Sequence, residues 1–142
     1  MSKIMKQKNK YLEDLGLSIY DYGVNMKGDK NDKDFRIPHW KKQRKKYGFD
    51  ERETWCLDQI FVEWIYSRFM MYKKIGGKVV NLKFHKVHYK GQKITQKEGI
   101  DIICGFCEDY LKTEFLNRYK HSQIFEADTM KLLGELMPYM WW

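Results

Sequence analysis

Two prolines, three cysteines and four histidines are all that 142 residues offer of the types that most often mark turns, staples and reactive sites. An odd cysteine number argues against a disulfide framework and for free thiols in a reducing compartment. No apolar run is long enough to cross a bilayer. The longest candidate, "IFVEWIYSRFMMY", is interrupted by Glu63 and Arg68. The basic start, "MSKIMKQKNK", is followed by no apolar stretch of signal-peptide length, so a soluble protein of the cytoplasm with no membrane partner is expected. Nucleophilic catalysis finds no G-x-S-x-G elbow. "IGGKVV" resembles a phosphate loop, but Tyr72 stands where the motif needs glycine and Val79 where it needs serine or threonine.

What is present is charge and aromatic surface. Lysine and arginine total 27 against 19 acids, a net charge of +8. Residues 1–50 hold 13 basic and 7 acidic side chains, hence +6, which leaves +2 for the remainder. Such asymmetry points to an acidic partner, either nucleic acid or an acidic protein face. Aromatics at 16% are too frequent for a disordered chain.

Local signals place the elements. Residues 1–34, broken by Gly16, Gly23 and Gly28, are expected to form an arm with one short helical turn, packed on a helical domain of residues 35–142. Pro38 suits a first helical turn and Gly48 a stop, which makes "HWKKQRKKY" a helix. Asp50 with Glu53 reads as a capping box for a long central helix over 51–74. The acids of "YGFDERETWCLD" are thereby explained by helix initiation, without catalysis. On a helical wheel, Arg52, Gln59, Glu63, Ser67 and Lys74 form a polar stripe. Phe61 and Trp64 fall in the broad apolar arc, and Asp58 and Arg68 become buried-charge candidates that need partners. Alternation from Val80 to Tyr89, with a parity slip and a turn at Gly91, predicts a small β-hairpin over about 79–94. Thr95 and Glu98 form a second capping box, and Asp128 can cap a last helix that Pro138 ends. The fold class expected is mainly α: one compact domain of four to five helices with a hairpin insertion.

Three constellations carry possible chemistry. "CGFC" falls inside a helix on its apolar face, so Cys104 and Cys107 read as core thiols rather than a redox pair. His85, His88, Cys104 and Cys107 have the spacing of a structural zinc site. Positions i and i+3 of a strand point to opposite faces, however, and no metal or other cofactor is expected. The basic segment is the strongest signal. Arg36, Lys41, Lys42, Arg44, Lys45 and Lys46 fall within eleven residues and are interleaved with Trp40 and Tyr47. Phosphate contact with base stacking uses this combination, and so does a solvated helix face. Trp40, Lys41, Lys42, Arg44, Lys45, Lys46 and Tyr47, with the terminal Trp141 and Trp142, are the expected partner-binding residues.

Together "YGFDERETWCLD", "FVEWIYSRFMMYK", "KFHKVHYKGQKITQKEGID" and "PYMWW" resemble a family of small proteins encoded by phages and prophages of Gram-positive, mainly gut, bacteria. The resemblance covers most of the chain from about residue 10 and brings no assigned activity. It implies a viral accessory protein acting in the host bacterial cytoplasm, where compact proteins of this size often block host defence, as anti-CRISPR proteins do. The expectation is a non-enzymatic inhibitor of a host protein or ribonucleoprotein. A nucleic-acid-binding accessory protein and a phage assembly protein are the alternatives.

Overall fold

The computed structural model describes residues 9–16 and 33–142, with the Phe115 side chain set aside. It is mainly helical with one small antiparallel hairpin, as expected. Among the described residues the order is α1 (Lys10–Glu13), α2 (Ile37–Tyr47), α3 (Leu57–Ile75), β1 (Lys86–Tyr89), β2 (Gln92–Thr95), α4 (Gln96–Lys112) and α5 (Ala127–Leu136). The chain divides into two compact units, Met1–Glu63 and Trp64–Trp142. That division falls within α3, away from the boundary expected between residues 34 and 35. The expected arm keeps α1, with Leu12 buried and Asn9 accepting from the Leu12 N–H. Its remainder lies outside the described residues.

In the first unit, Pro38 sits in the first turn of α2 and Gly48 ends it at φ 85°, the left-handed geometry that glycine adopts without a Cβ penalty. Asp50 caps a turn as expected, but the turn is a 3-10 helix over Glu51–Thr54, and α3 starts afresh at Leu57. The break takes Arg52 out of the helix, but Gln59, Glu63, Ser67 and Lys74 all lie within α3 and keep their mutual spacing, so the difference lies in which face is covered. Glu63 and Ser67, placed toward solvent in that stripe, are buried, and Gln59 Nε2 donates to Glu63 Oε1 at 2.8 Å. Conversely Trp64, expected in the core, is 46% exposed and Phe61 is half-buried.

The second unit is built on α4. The Thr95 capping box is present in full: its hydroxyl accepts from the Glu98 N–H, while Glu98 accepts from the Thr95 N–H. Ile100, Ile103, Cys104, Cys107, Tyr110 and Leu111 form the buried face of α4. Leu132, Leu133 and Leu136 of α5 supply the rest of this core. Each aliphatic side chain that leaves water here stabilises the fold by roughly 1.5–3 kcal/mol. Gly99 permits the close approach: a Cβ there would lie 3.0 Å from Leu136 and 3.3 Å from Val87 of β1. The last helix begins at Ala127 after Glu126, so Asp128 sits inside its first turn and is not its cap.

The hairpin is shorter and later than expected. Gly76–Lys78 form a 3-10 turn, residues 79–85 are irregular, and strand pairing begins only at Lys86. Val87 pairs with Ile94, and Lys90 and Gly91 both take positive φ, 50° and 76°. Positive φ at both central positions is the two-residue turn whose twist matches the flanking strands. No helix among the described residues is long and apolar enough to cross a membrane.

Candidate functional site

The basic segment resolves into two populations, separated by what each cation finds nearby. The arginines are consumed by structure. Arg36 grips Asp34 through a fork, Nε to Oδ1 at 3.0 Å and Nη2 to Oδ2 at 2.7 Å. Those hydrogen bonds hold the Asp34 carboxyl down at a pKa of about 2. Asp50, only 1% exposed, receives Arg52 through Nε at 3.0 Å, Nη2 at 2.8 Å and the backbone N–H at 3.0 Å. Arg44 Nη1 donates to the same carboxylate. Burial pushes the Asp50 carboxyl up, but the Arg52 hydrogen bonds and charge, with the Arg44 hydrogen bond, outweigh it and leave the pKa lowered.

Trp40 is locked between these ion pairs. The guanidinium carbons of Arg36 and Arg52 lie over its ring at 4.9 and 4.2 Å, its Nε1 donates to Glu51 at 2.8 Å, and Trp55 meets it edge-on at 5.8 Å. It is 4% exposed. Trp40 is therefore a packing centre and not a surface anchor, which corrects the sequence-based expectation. Arg44, aimed at Asp50 with 18% of its side chain exposed, is corrected with it. Aromatic residues reached this helix to be covered by cations, and a one-dimensional pattern cannot separate that from stacking on a base.

The lysines are a different matter. Lys41, Lys42, Lys45 and Lys46 are exposed, and among the described residues no carboxylate forms an ion pair with any of them. At 100° per residue they cover an arc of about 140° on α2, on the side away from Ile37 and Trp40. At the end of this face Lys46 lies over the Tyr47 ring at 5.1 Å, and Tyr47 and Phe49 remain half-exposed or more with their centroids 6.5 Å apart. The result is a dense positive ridge ending in two available rings. An acidic surface is its chemical complement.

The other expected residues fall elsewhere. Asp58 lies half-buried in the first turn of α3, where the helix dipole favours an acid. Arg68 is exposed with its guanidinium 4.5 Å from the Trp64 ring centre. Neither is a buried charge, because the face of α3 that carries Trp64 and Arg68 is at the surface although its residues are largely apolar. His85 stacks on Tyr139 at 4.3 Å, and His88 pairs with Glu135 at 3.1 Å. Cys104 and Cys107 face the core of α4, so the zinc candidate is not brought together. No group of three or more possible ligands among the described residues could hold a metal. Burial pushes the Cys104 thiol up to about 12 and Cys107 in the same direction, which suppresses the reactive thiolate. Cys56 alone is exposed. A maleimide titration of the native protein is expected to label one thiol per chain, and three after denaturation. Rapid native labelling of all three would place the "CGFC" pair outside the core.

The terminal aromatics Tyr139, Trp141 and Trp142 are exposed, but the backbone that carries them is held in place. The Tyr72 hydroxyl lies 3.2 Å from the Tyr139 carbonyl and 3.1 Å from that of Trp141, and Gln96 Nε2 donates to the Tyr139 carbonyl at 3.2 Å. Trp142 rests on Gly76, where an added Cβ would lie 2.7 Å from its ring. The backbone is thus tied down while Trp141 and Trp142 keep 73% and 60% of their surface exposed. Compared with known proteins, the chain matches no family model, no curated protein and no solved structure.

Proposed function

We propose that the protein is a non-catalytic binding protein that inhibits a host factor by docking the lysine face of α2 on an acidic surface of that factor. The observation that carries the reading is the division of labour in the basic segment. Arg36 and Arg44, with Arg52 just beyond the segment, are engaged by Asp34, Asp50 and Trp40, while Lys41, Lys42, Lys45 and Lys46 are exposed and, among the described residues, unmatched by acids. A helix needs no such ridge for its own stability, since like charges at i,i+4 spacing repel. The phage resemblance supplies the setting of a bacterial host, in which the factor is a protein or ribonucleoprotein of a defence system. Occupying a surface that normally receives nucleic acid blocks such a factor without turnover.

A second reading, direct binding of nucleic acid, is favoured by Tyr47 and Phe49 beside Lys46, where a base has rings to stack on. One experiment separates the two. Tagged protein is used to capture partners from a host lysate treated with nuclease, and the eluate is identified by mass spectrometry. A single host protein in stoichiometric amount is the outcome expected. Recovery of nucleic acid alone from an untreated lysate, and of nothing after nuclease, would transfer support to the second reading. Turnover of a substrate by the pure protein would end both.

A further inference from the structure

The second unit contains a cleft of about 230 Å³ that the lysine face does not explain. Its walls are rings. Phe84 meets His85 edge-on at 5.1 Å, His85 stacks on Tyr139 at 4.3 Å with 18° between planes, and Trp141 closes the side. Phe84 and Trp141 each leave 73% of their surface open to solvent. Its floor is polar. Gln96 is 1% exposed, and its Nε2 is committed to the Tyr139 carbonyl and Met140 sulfur, while among the described residues no donor reaches its Oε1. Asn81, whose Oδ1 accepts from the Lys83 N–H at 3.0 Å, contributes an amide NH2 at the rim. A cleft of this volume, lined by rings and by the side-chain amides of Gln96 and Asn81, matches a flat heterocycle that carries both a donor and an acceptor. The flanking chain is cationic: residues 79–98 hold five lysines and one acid, Glu98. Backbone hydrogen bonds from Gln96 to His85 and from Lys97 to Leu82 hold Lys83 and Lys97 beside the cleft.

We infer that this cleft binds a nucleobase, its ring stacked against Phe84, His85 and Trp141 and its edge read by Gln96 and Asn81, with the attached phosphate facing the lysines of residues 83–97. Aromatic platforms beside a cationic track are how proteins hold splayed-out bases, and amide side chains are suited to paired donor and acceptor edges. The base comes either from a free nucleotide or from a single strand. The inference does not rest on α2, and it adds a ligand chemistry that the docking proposal lacks.

The test measures binding of a fluorescent eight-nucleotide DNA strand and of an abasic strand of equal length and charge, with AMP, UMP and inorganic phosphate as competitors. The base-bearing strand is expected to bind about tenfold tighter, the size of one stacked base. Phe84→Ala and, separately, His85→Ala should erase that advantage while leaving abasic binding unchanged, with melting curves confirming that both variants fold. Competition by AMP or UMP but not phosphate identifies a free nucleotide as sufficient, and competition by strands alone identifies a polymer. Equal binding of the two strands, an advantage that survives both substitutions, or no binding of any probe would overturn the inference. None of these failures touches the docking proposal for α2, which concerns an acidic surface of a protein and uses no nucleic-acid probe.

Discussion

Asp50→Ala is expected to destabilise the protein by about 3 kcal/mol, far more than a surface substitution would. The carboxylate is buried, and its removal takes away the acceptor that Arg44 and Arg52 share, with only 18% and 12% of their side chains exposed. Losing one partner of a buried ion pair costs about 3–5 kcal/mol, and the residual exposure of both arginines sets the lower end. Arg52 also covers Trp40, so the loss extends to the packing of α2. Asp50→Asn retains an acceptor for the Arg52 N–H and should lose roughly half as much. The dependence on pH has a definite sign. A carboxyl whose pKa is lowered by folding contributes its full stability above the ordinary carboxylate value of about 3.9. That contribution fades as pH falls through the lower folded value. The gap in urea midpoint between the natural protein and Asp50→Ala should therefore be constant from about pH 5 to 8 and narrow in acid. Glu53, whose carboxyl is pushed up by burial and then by the Asp50 charge, acts in the opposite sense, and removing that charge trims the gap at neutral pH. A gap that is small at neutral pH, or that widens in acid, would show that Asp50 does not anchor the arginines.

Reversing Lys41, Lys42 and Lys45 to glutamate is expected to weaken capture of the host factor by at least about a hundredfold while leaving the melting temperature almost unchanged. The three substitutions change the charge of one helix face by six units, and juxtaposed like charges at an interface cost several kcal/mol. Exposed side chains without partners contribute little to stability, so the fold is spared. Lys78→Glu with Lys120→Glu and Lys131→Glu, at exposed positions of the second unit, changes the charge by the same six units and should bind normally. Equal loss in both variants would reduce the effect to net charge. Trp40→Ala is not a substitute for this experiment, because Trp40 is buried and its loss would unfold the helix that carries the lysines.

Signals confined to a few residues were legible in the sequence. Pro38 and Gly48 bracket α2 as found, Thr95 and Glu98 close a full capping box, and Cys104 and Cys107 lie in the core because their helix begins at that box. What failed was reading that depended on tertiary cover or partners. The stripe of α3 through Glu63 and Ser67 was assigned to solvent because it is polar, but that stripe is covered and Trp64 faces water. The hairpin slipped later because Val79 and Val80, though β-branched, follow a 3-10 turn that turns the chain away from pairing. The candidate site was legible as a basic aromatic stretch, but not as two populations. Asp34 and Asp50 lie outside α2, so which cations they claim depends on how the chain folds back at Gly48. Side-chain length decides the division as well. The arginine fork reaches a carboxylate with two bonds and a ring face with its plane, whereas the lysine ammonium keeps its hydration.

Lysine footprinting of the captured complex tests the central claim most directly. The free protein and its complex with the host factor are acetylated with a water-soluble reagent, and the modification of each lysine is followed by mass spectrometry. Lys41, Lys42, Lys45 and Lys46 are predicted to be strongly protected in the complex, while Lys120 and Lys131 react as fast as in the free protein. Unchanged reactivity of the four α2 lysines in a stoichiometric complex would contradict the account.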